Sequence, residues 1–272
     1  MRYTTHHRPR PEVSTRVEVP LDVKLMHMAA SLMIVGLVVS AVGMGLWSLV
    51  QLPVFALAGI TVKGDVEHNN AVTLRANVAP KIMGNFFTAD LVRVRHAFES
   101  VPWVRTASVQ REFPNRLRVN LQEHKPVAYW GDADDSLMVN SYGELFEANA
   151  GELDDDKLPH LRGPESQSPQ VLAMYLALVP AFKDMQLSLN SLELTERGSW
   201  RARVGHGALV ELGRGNTQEV MVRMERLAKT LTQVTNKLGR KTNALELADL
   251  RYDNGYALRL RGVSTLDVQP KR

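Results

Sequence analysis

Residues Ala29 to Leu49, AASLMIVGLVVSAVGMGLWSL, decide how the rest of the chain is read. The 21 residues contain nine Leu, Ile or Val and no charge. At 1.5 Å per residue a helix of this length covers roughly 30 Å, the hydrocarbon thickness of a bilayer. The uncharged run is wider still, from Leu25 to Val62. A buried core helix of this length would keep a polar face, and none is present. A cleaved signal peptide is the stronger rival, because Ala56-Leu57-Ala58 has small-x-small form. Signal cores, however, run about 7–15 residues, and cleavage there would cut into the strand read below. The expectation is therefore a retained span. Arg2, Arg8, Arg10, Arg16 and Lys24 precede it, so the tail is expected in the cytoplasm and the C-terminal bulk outside. Gly36, Ser40 and Gly43 form a small-residue stripe that suits close helix packing, or simply reflects how common glycine is in membrane helices.

Outward from the span, composition excludes several classes. The 272-residue chain has net charge +4 and 6% aromatic residues, far from the dense basic face that phosphate neutralisation needs. Nucleic acid is not expected. With no cysteine, disulfides, thiolate metal sites and cysteine nucleophiles are ruled out. His6-His7 lacks neighbouring ligands. Asp132, Asp134 and Asp135 lack the glycine and distal glutamate of a calcium loop, and Asp154-Asp155-Asp156 reads as solvated loop. Gly213-x-Gly215 before a helix reads as a strand-to-helix turn more readily than as an anion cradle. No hydrolase, zinc-protease or phosphate-loop motif occurs. Neither an enzyme, a cofactor nor a small-molecule substrate is expected.

Past the membrane, Phe55 to Lys63 alternates as a strand. A short helix follows, from an Asn70 cap to Pro80, then a second with Thr88 as cap and Leu91, Val94 and Phe98 on one face. Strands through Ala107 and Val109 and through Leu117, Val119 and Leu121 flank a Phe113-Pro114-Asn115 turn. Two helices on a three-stranded sheet make a small α+β domain. Further on, Tyr129-Trp130, Leu137 to Val139 and Glu144 to Phe146 read as strands, and Gly151 to Gln167 as loops. Ser168-Pro169 opens a helix to about Lys183. Leu187 to Leu194, Trp200 to Val204 and Ala208 to Leu212 are strands, and Thr217 caps a long helix. Its seam of Val220, Met221, Met224, Leu227, Leu231, Val234 and Leu238 docks on the protein's own sheet.

The last pattern alternates Leu250 and Tyr252 with Arg251, then Tyr256, Leu258 and Leu260 with Arg259 and Arg261. A three-residue Asp253-Asn254-Gly255 turn keeps the apolar residues on one face. It predicts a bulged hairpin that pairs Tyr252 with Tyr256 and leaves Gly255 left-handed. Such a strand near the end of the chain is expected at a sheet edge, open to a partner strand.

Ala58-Gly59-Ile60-Thr61-Val62-Lys63-Gly64 behind a single membrane helix, Val101-Pro102-Trp103-Val104, Arg111 to Leu117 and Glu123 to Ala128 resemble the FtsQ/DivIB family of bacterial cell-division proteins. Glu211 to Gly215 and Asp249 to Gly255 resemble the second exported domain of that family. The resemblance implies a bitopic membrane protein: a cytoplasmic tail (1–28), a transmembrane helix (29–49), a POTRA domain (55–125), a β-rich α+β partner-binding domain (126–262) and a tail (263–272). It also implies a non-enzymatic scaffold at the septum of the inner membrane, linking other division proteins and binding the periplasmic coiled-coil pair FtsB–FtsL through its C-terminal strands. Carried over by motif, Arg251, Tyr252 and Gly255 are the leading interface residues and Arg197 a looser match; Tyr256 and Arg259 follow on the same strand, past the end of the family motif. Tyr252 reads equally as a half-buried sheet aromatic, and Arg251 and Arg259 as a solvated strand face. A POTRA protein serving an outer-membrane barrel is the alternative. It would need several POTRA copies and a barrel's strands, and one copy is present.

Overall fold

The computed structural model describes residues 20–132, 136–149, 151, 158–252 and 254–263, with the side chains of 71, 73 and 75 left aside. His6-His7, Asp134, Asp135 and Asp154-Asp155-Asp156 lie outside these residues.

The apolar run forms α1 (Leu21–Val50), 30 residues with no buried side chain. It is longer than the 21-residue span read from composition and covers about 45 Å. Its surplus lies mostly at the N-terminal end, where Asp22 and Lys24 extend it past the apolar run. Among the described residues it is the one helix long and apolar enough to cross a membrane.

A 3-10 turn at Pro53–Phe55 follows, so the first strand, β1 (Gly59–Gly64), begins four residues later than alternation suggests. Then come α2 (Ala71–Val78), α3 (Leu91–Glu99), β2 (Val104–Glu112) and β3 (Arg116–Glu123). The sheet order is β1-β3-β2, with β1 parallel and β2 antiparallel to β3. Alternation on β3 puts Leu117, Val119 and Leu121 on one face, where they are buried against Leu74 and Val78 of α2 and Val94, Ala97 and Phe98 of α3. The cap of α3 is Asp90, not Thr88. The Asp90 carboxylate accepts the N–H groups of Val92 and Arg93 at 3.0 and 3.1 Å. Thr88 is instead tied into a turn in which Asn85 Oδ1 accepts its N–H and that of Phe87. An aspartate adjoining the first helical residue outcompetes a threonine two positions earlier.

Among the described residues, the rest of the chain builds one nine-stranded sheet with two helices. Its elements are β4 (Pro126–Trp130), β5 (Leu137–Asn140), β6 (Leu145–Glu147), β7 (His160–Arg162), α4 (Ser168–Asp184), β8 (Leu189–Leu194), β9 (Ser199–Val204), β10 (Ala208–Arg214), α5 (Thr217–Lys237), β11 (Leu245–Asp249) and β12 (Ala257–Leu260). Across the sheet the order is β12-β11-β10-β9-β8-β7-β4-β5-β6. Both helices pack on it through one core that includes Leu178, Phe182, Leu192, Trp200, Leu212, Met224 and Leu227.

Four local expectations are corrected. β7 lies inside the stretch read as loop. Its three residues run parallel to both β4 and β8, and Leu161 is fully buried between them. Ser168 is already helical and does not cap α4; its hydroxyl donates to the Gly143 carbonyl at 2.6 Å. Asn216 rather than Thr217 caps α5, in a reciprocal box with Glu219. On α5 the buried seam ends at Thr235, and Leu238 is exposed. Gly239, at φ +62°, stops the helix as expected.

Candidate partner-binding site

A nine-stranded sheet has two edges, and the chain treats them differently. At the β6 edge, Phe146 stacks on His124 (4.1 Å between ring centroids) and packs on Trp103 of the first folded domain (5.6 Å). The β12 edge has no strand beside it among the described residues. A strand hydrogen-bonded on one side only leaves every second N–H and C=O facing outward. Arg261 donates its N–H to Ala244 O at 2.8 Å, toward β11. Because the sideways direction alternates, the N–H groups of Leu258 and Leu260 face the open side.

The connection into this edge differs from the hairpin expected. β11 ends at Asp249, which sits opposite Ala257, so residues 250–256 join the two strands. Tyr252 and Tyr256 are not cross-strand partners, and Gly255 does not take a left-handed φ. Asp253 lies outside the described residues. Burial accounts for the wider loop. Leu250, 1% exposed, donates its N–H to Glu211 O at 2.8 Å and so stays with β10. The Tyr256 hydroxyl is held by Thr230 Oγ1 of α5. A tight turn would give up both contacts.

Five of the six predicted residues lie on β12 or in the loop that leads into it, and Arg197 lies away from this edge. Arg251 is clamped by Asp249 at two points, Nε to Oδ1 at 2.9 Å and Nη2 to Oδ2 at 2.6 Å. That hydrogen-bonded ion pair holds the Asp249 carboxyl below its ordinary range against the opposing effect of burial, and raises the arginine further. Tyr252, beside it, is 59% exposed. Arg259 projects from β12 and pairs with Glu246 of β11 at 3.3 Å. Gly255 and Tyr256 are half-buried. Arg197 sits in the β8–β9 turn and lines the same groove as Arg251.

That groove, about 1130 Å³, runs along one end of β7 to β10. Six arginines line it (162, 197, 201, 214, 223 and 251) against Glu193, Glu196 and Glu211. Some of this charge is satisfied internally. Arg201 lies across from Glu211 and Glu193 and binds them at 2.9 and 3.5 Å, and Arg162 pairs with Asp132 at 2.8 Å. Arg223 gives Nη2 to Arg214 O at 2.5 Å, and its buried Nε has no hydrogen-bond partner. The remaining positive excess suits an acidic segment laid across the end of the sheet. Gly213, at φ +82°, lets Arg251 cross close above: a Cβ there would meet Arg251 Cγ at 3.3 Å.

Sequence reading missed Asp249, Arg214 and Arg223. The signal for Asp249 was available, because residues two apart on an extended chain share a face, and Asp249 stands two before Arg251. Arg214 and Arg223 join the groove only through the β10–α5 turn, which spacing alone does not place. No group of three or more His, Asp or Glu residues able to hold a metal occurs among the described residues.

Known proteins resemble both folded parts that follow α1. Residues 55–124 match the family model "POTRA domain, FtsQ-type", and residues 128–251 match "Cell division protein FtsQ/DivIB, C-terminal". Over most of the chain, "Cell division protein FtsQ" of Burkholderia pseudomallei is 40% identical across 246 residues, covering 90% of this chain and 96% of that protein. The proteins of the same name from Thiomonas arsenitoxydans and Bordetella pertussis are each 34% identical, covering 90% and 88% of this chain and 90% and 92% of theirs. With a helix able to span a membrane, an FtsQ-type POTRA domain and the β-rich C-terminal domain in that order, the chain belongs to the FtsQ/DivIB family of cell-division proteins.

Proposed function

We propose that this chain is a non-enzymatic scaffold of the division septum. It is held in the inner membrane by α1, with its N-terminus in the cytoplasm and its two folded domains in the periplasm. Its task is to connect division proteins on the two sides. The periplasmic part of an FtsB–FtsL-type pair adds a strand to β12, while acidic residues of that partner meet Arg251 and Arg197. The observation that carries this reading is the open β12 edge beside a groove with an excess of arginine. Backbone pairing supplies affinity with little demand on sequence, and the flanking arginines supply register and orientation.

A truncation after Asp249 would remove the edge, but it would also strip Leu250 and Leu260 from the core, where they are 1% and 5% exposed. The sharper test is Leu258→Pro in the full chain. It deletes one outward N–H and leaves the inward ladder intact. Loss of co-purification with an FtsB–FtsL-type pair, at unchanged folding and membrane insertion, supports the reading. Undiminished co-purification refutes it.

A further inference from the structure

The membrane-proximal end of the first exported domain carries a patch of large apolar side chains that its core does not use. Three segments meet there. Asn85 Nδ2 donates to Val50 O, the last residue of α1, at 2.9 Å. Phe86 N–H donates to Phe55 O at 2.9 Å, and Ala58 N–H to Asn115 O at 2.9 Å. The helix end, the loop before α3 and the β2–β3 turn therefore lie side by side. Arg111 fastens the loop from the sheet side, giving Nε to Phe86 O at 2.7 Å and Nη2 to Ala89 O at 2.9 Å. On these segments Phe113 is 76% exposed, Met83 70%, and Leu52, Val54 and Phe87 are exposed as well. The rings are contiguous: Phe55 to Phe87 at 4.9 Å, Phe87 to Phe86 at 5.1 Å and Phe86 to Phe113 at 6.2 Å.

A contiguous patch of this kind in water is a contact surface waiting for its partner. Continuity names the partner. Leu52 stands two residues after the end of α1, and the loop carrying Phe87 is hydrogen-bonded to that end, so the surface of any bilayer that α1 crosses passes beside these side chains. Phenylalanine and methionine gain from the interfacial layer, as Trp47 does at the same end of the helix.

We propose that Met83, Phe87 and Phe113, with Leu52 and Val54, form a second membrane contact that seats this end of the domain in the outer interfacial layer of the bilayer. The domain is thereby held at a fixed tilt instead of swinging on residues 51–58. This rests on α1 crossing the membrane, and the test separates the two.

The chain has no cysteine, so single labels can be placed without background. Phe113→Cys, Met83→Cys, Val38→Cys in mid-α1 and Val222→Cys on exposed α5 are each spin-labelled in the full chain and reconstituted in lipid nanodiscs. Collisions with dissolved oxygen are compared with collisions with a water-soluble nickel chelate. The labels at 113 and 83 are expected to favour oxygen, as at 38 but shallower, while 222 favours nickel. Labels at 113 and 83 that match 222 overturn the proposal while leaving the span intact; a nickel-accessible label at 38 overturns the span and the proposal with it. Spin–spin broadening at 113 in nanodiscs holding two copies would identify a second copy of the chain as the occupant and equally overturn it.

Discussion

Asp249 grips Arg251 from the last residue of β11, carboxylate to guanidinium at two points, 2.9 and 2.6 Å apart. The same carboxylate accepts the Arg251 N–H at 3.1 Å. Nε and one Nη2 proton are thereby committed, and the Nη1–Nη2 edge is left to present a planar two-point fork outward. A flexible arginine loses rotamer freedom on binding; this one has lost part of it in advance.

Asp249→Asn should therefore weaken partner binding without removing the arginine. Asparagine can still accept the backbone N–H, but it no longer holds the guanidinium at two points. A three- to tenfold rise in Kd, roughly the cost of re-ordering one long side chain, is the expected outcome of titration with an FtsB-type periplasmic segment. Arg251→Lys should lose more, because an ammonium cannot reproduce the fork.

Arg223 offers a second handle on the groove. Its Nε is buried without a hydrogen-bond partner while Nη2 is spent on Arg214 O. Arg223→Met keeps the apolar stem and removes the unpaired charge. Folding stability should hold or rise by up to about 1 kcal/mol, because an uncompensated buried polar atom is lost. Affinity for an acidic segment should fall. Paired denaturation and binding curves would separate the two effects.

The first folded domain closes on Glu123. Its buried carboxylate accepts the N–H groups of Glu67, His68 and Asn69 at 3.0 to 3.1 Å and the Asn69 amide at 2.8 Å. Burial alone would push this carboxyl upward, but the His68 and Asn69 hydrogen bonds outweigh it and bring it below the ordinary range. Glu123→Ala leaves several buried donors unpaired and should cost roughly 2–4 kcal/mol in urea denaturation at neutral pH. A depressed folded-state pKa contributes stability that is present above the unfolded value and lost as pH falls through the folded one. The wild-type advantage over Glu123→Ala should accordingly shrink on acidification below the usual carboxylate range.

Between the two folded domains, Arg105 gives Nε and Nη2 to the Glu144 carboxylate at 2.6 and 2.9 Å. Asn140 adds a bond to the same carboxylate at 2.7 Å. The arginine's hydrogen bonds hold the Glu144 carboxyl down to about 2, against 4.5 when free. The stability that this link contributes is therefore fully present above pH 4.5 and declines as pH falls from there toward 2, where the carboxylate itself protonates. Glu144→Gln should broaden the distance between labels placed in the two domains, measured by pulsed electron resonance at neutral pH. The pair is partly solvated, so the melting temperature should move by no more than about 2 °C.

Legibility followed the length of each signal. α1 is read from an unbroken apolar run, which the structure extends eight residues toward the N-terminus, whereas β3 and α5 each repeat one period long enough to read and lie close to where alternation and spacing place them. β7 has three residues between Pro159 and Gly163, too few for any period; what makes Leu161 a core residue is pairing with two strands distant in sequence. Caps failed by one or two positions because Thr88 and Thr217 compete with better acceptors nearby, Asp90 and Asn216. At the candidate site the edge position was readable. The turn was not, because burial of Leu250 against β10 and the Tyr256–Thr230 contact set its width, and neither is local. The Arg197–Arg251 groove likewise joins residues 54 positions apart, a juxtaposition that only the strand order creates.

Amide hydrogen exchange of the full chain in nanodiscs, with and without an FtsB–FtsL-type partner, tests strand addition most directly. On complex formation the outward N–H groups of Leu258 and Leu260 should become strongly protected while the inward ladder changes little. A complex that forms with those two amides still exchanging at their free rate would contradict the account.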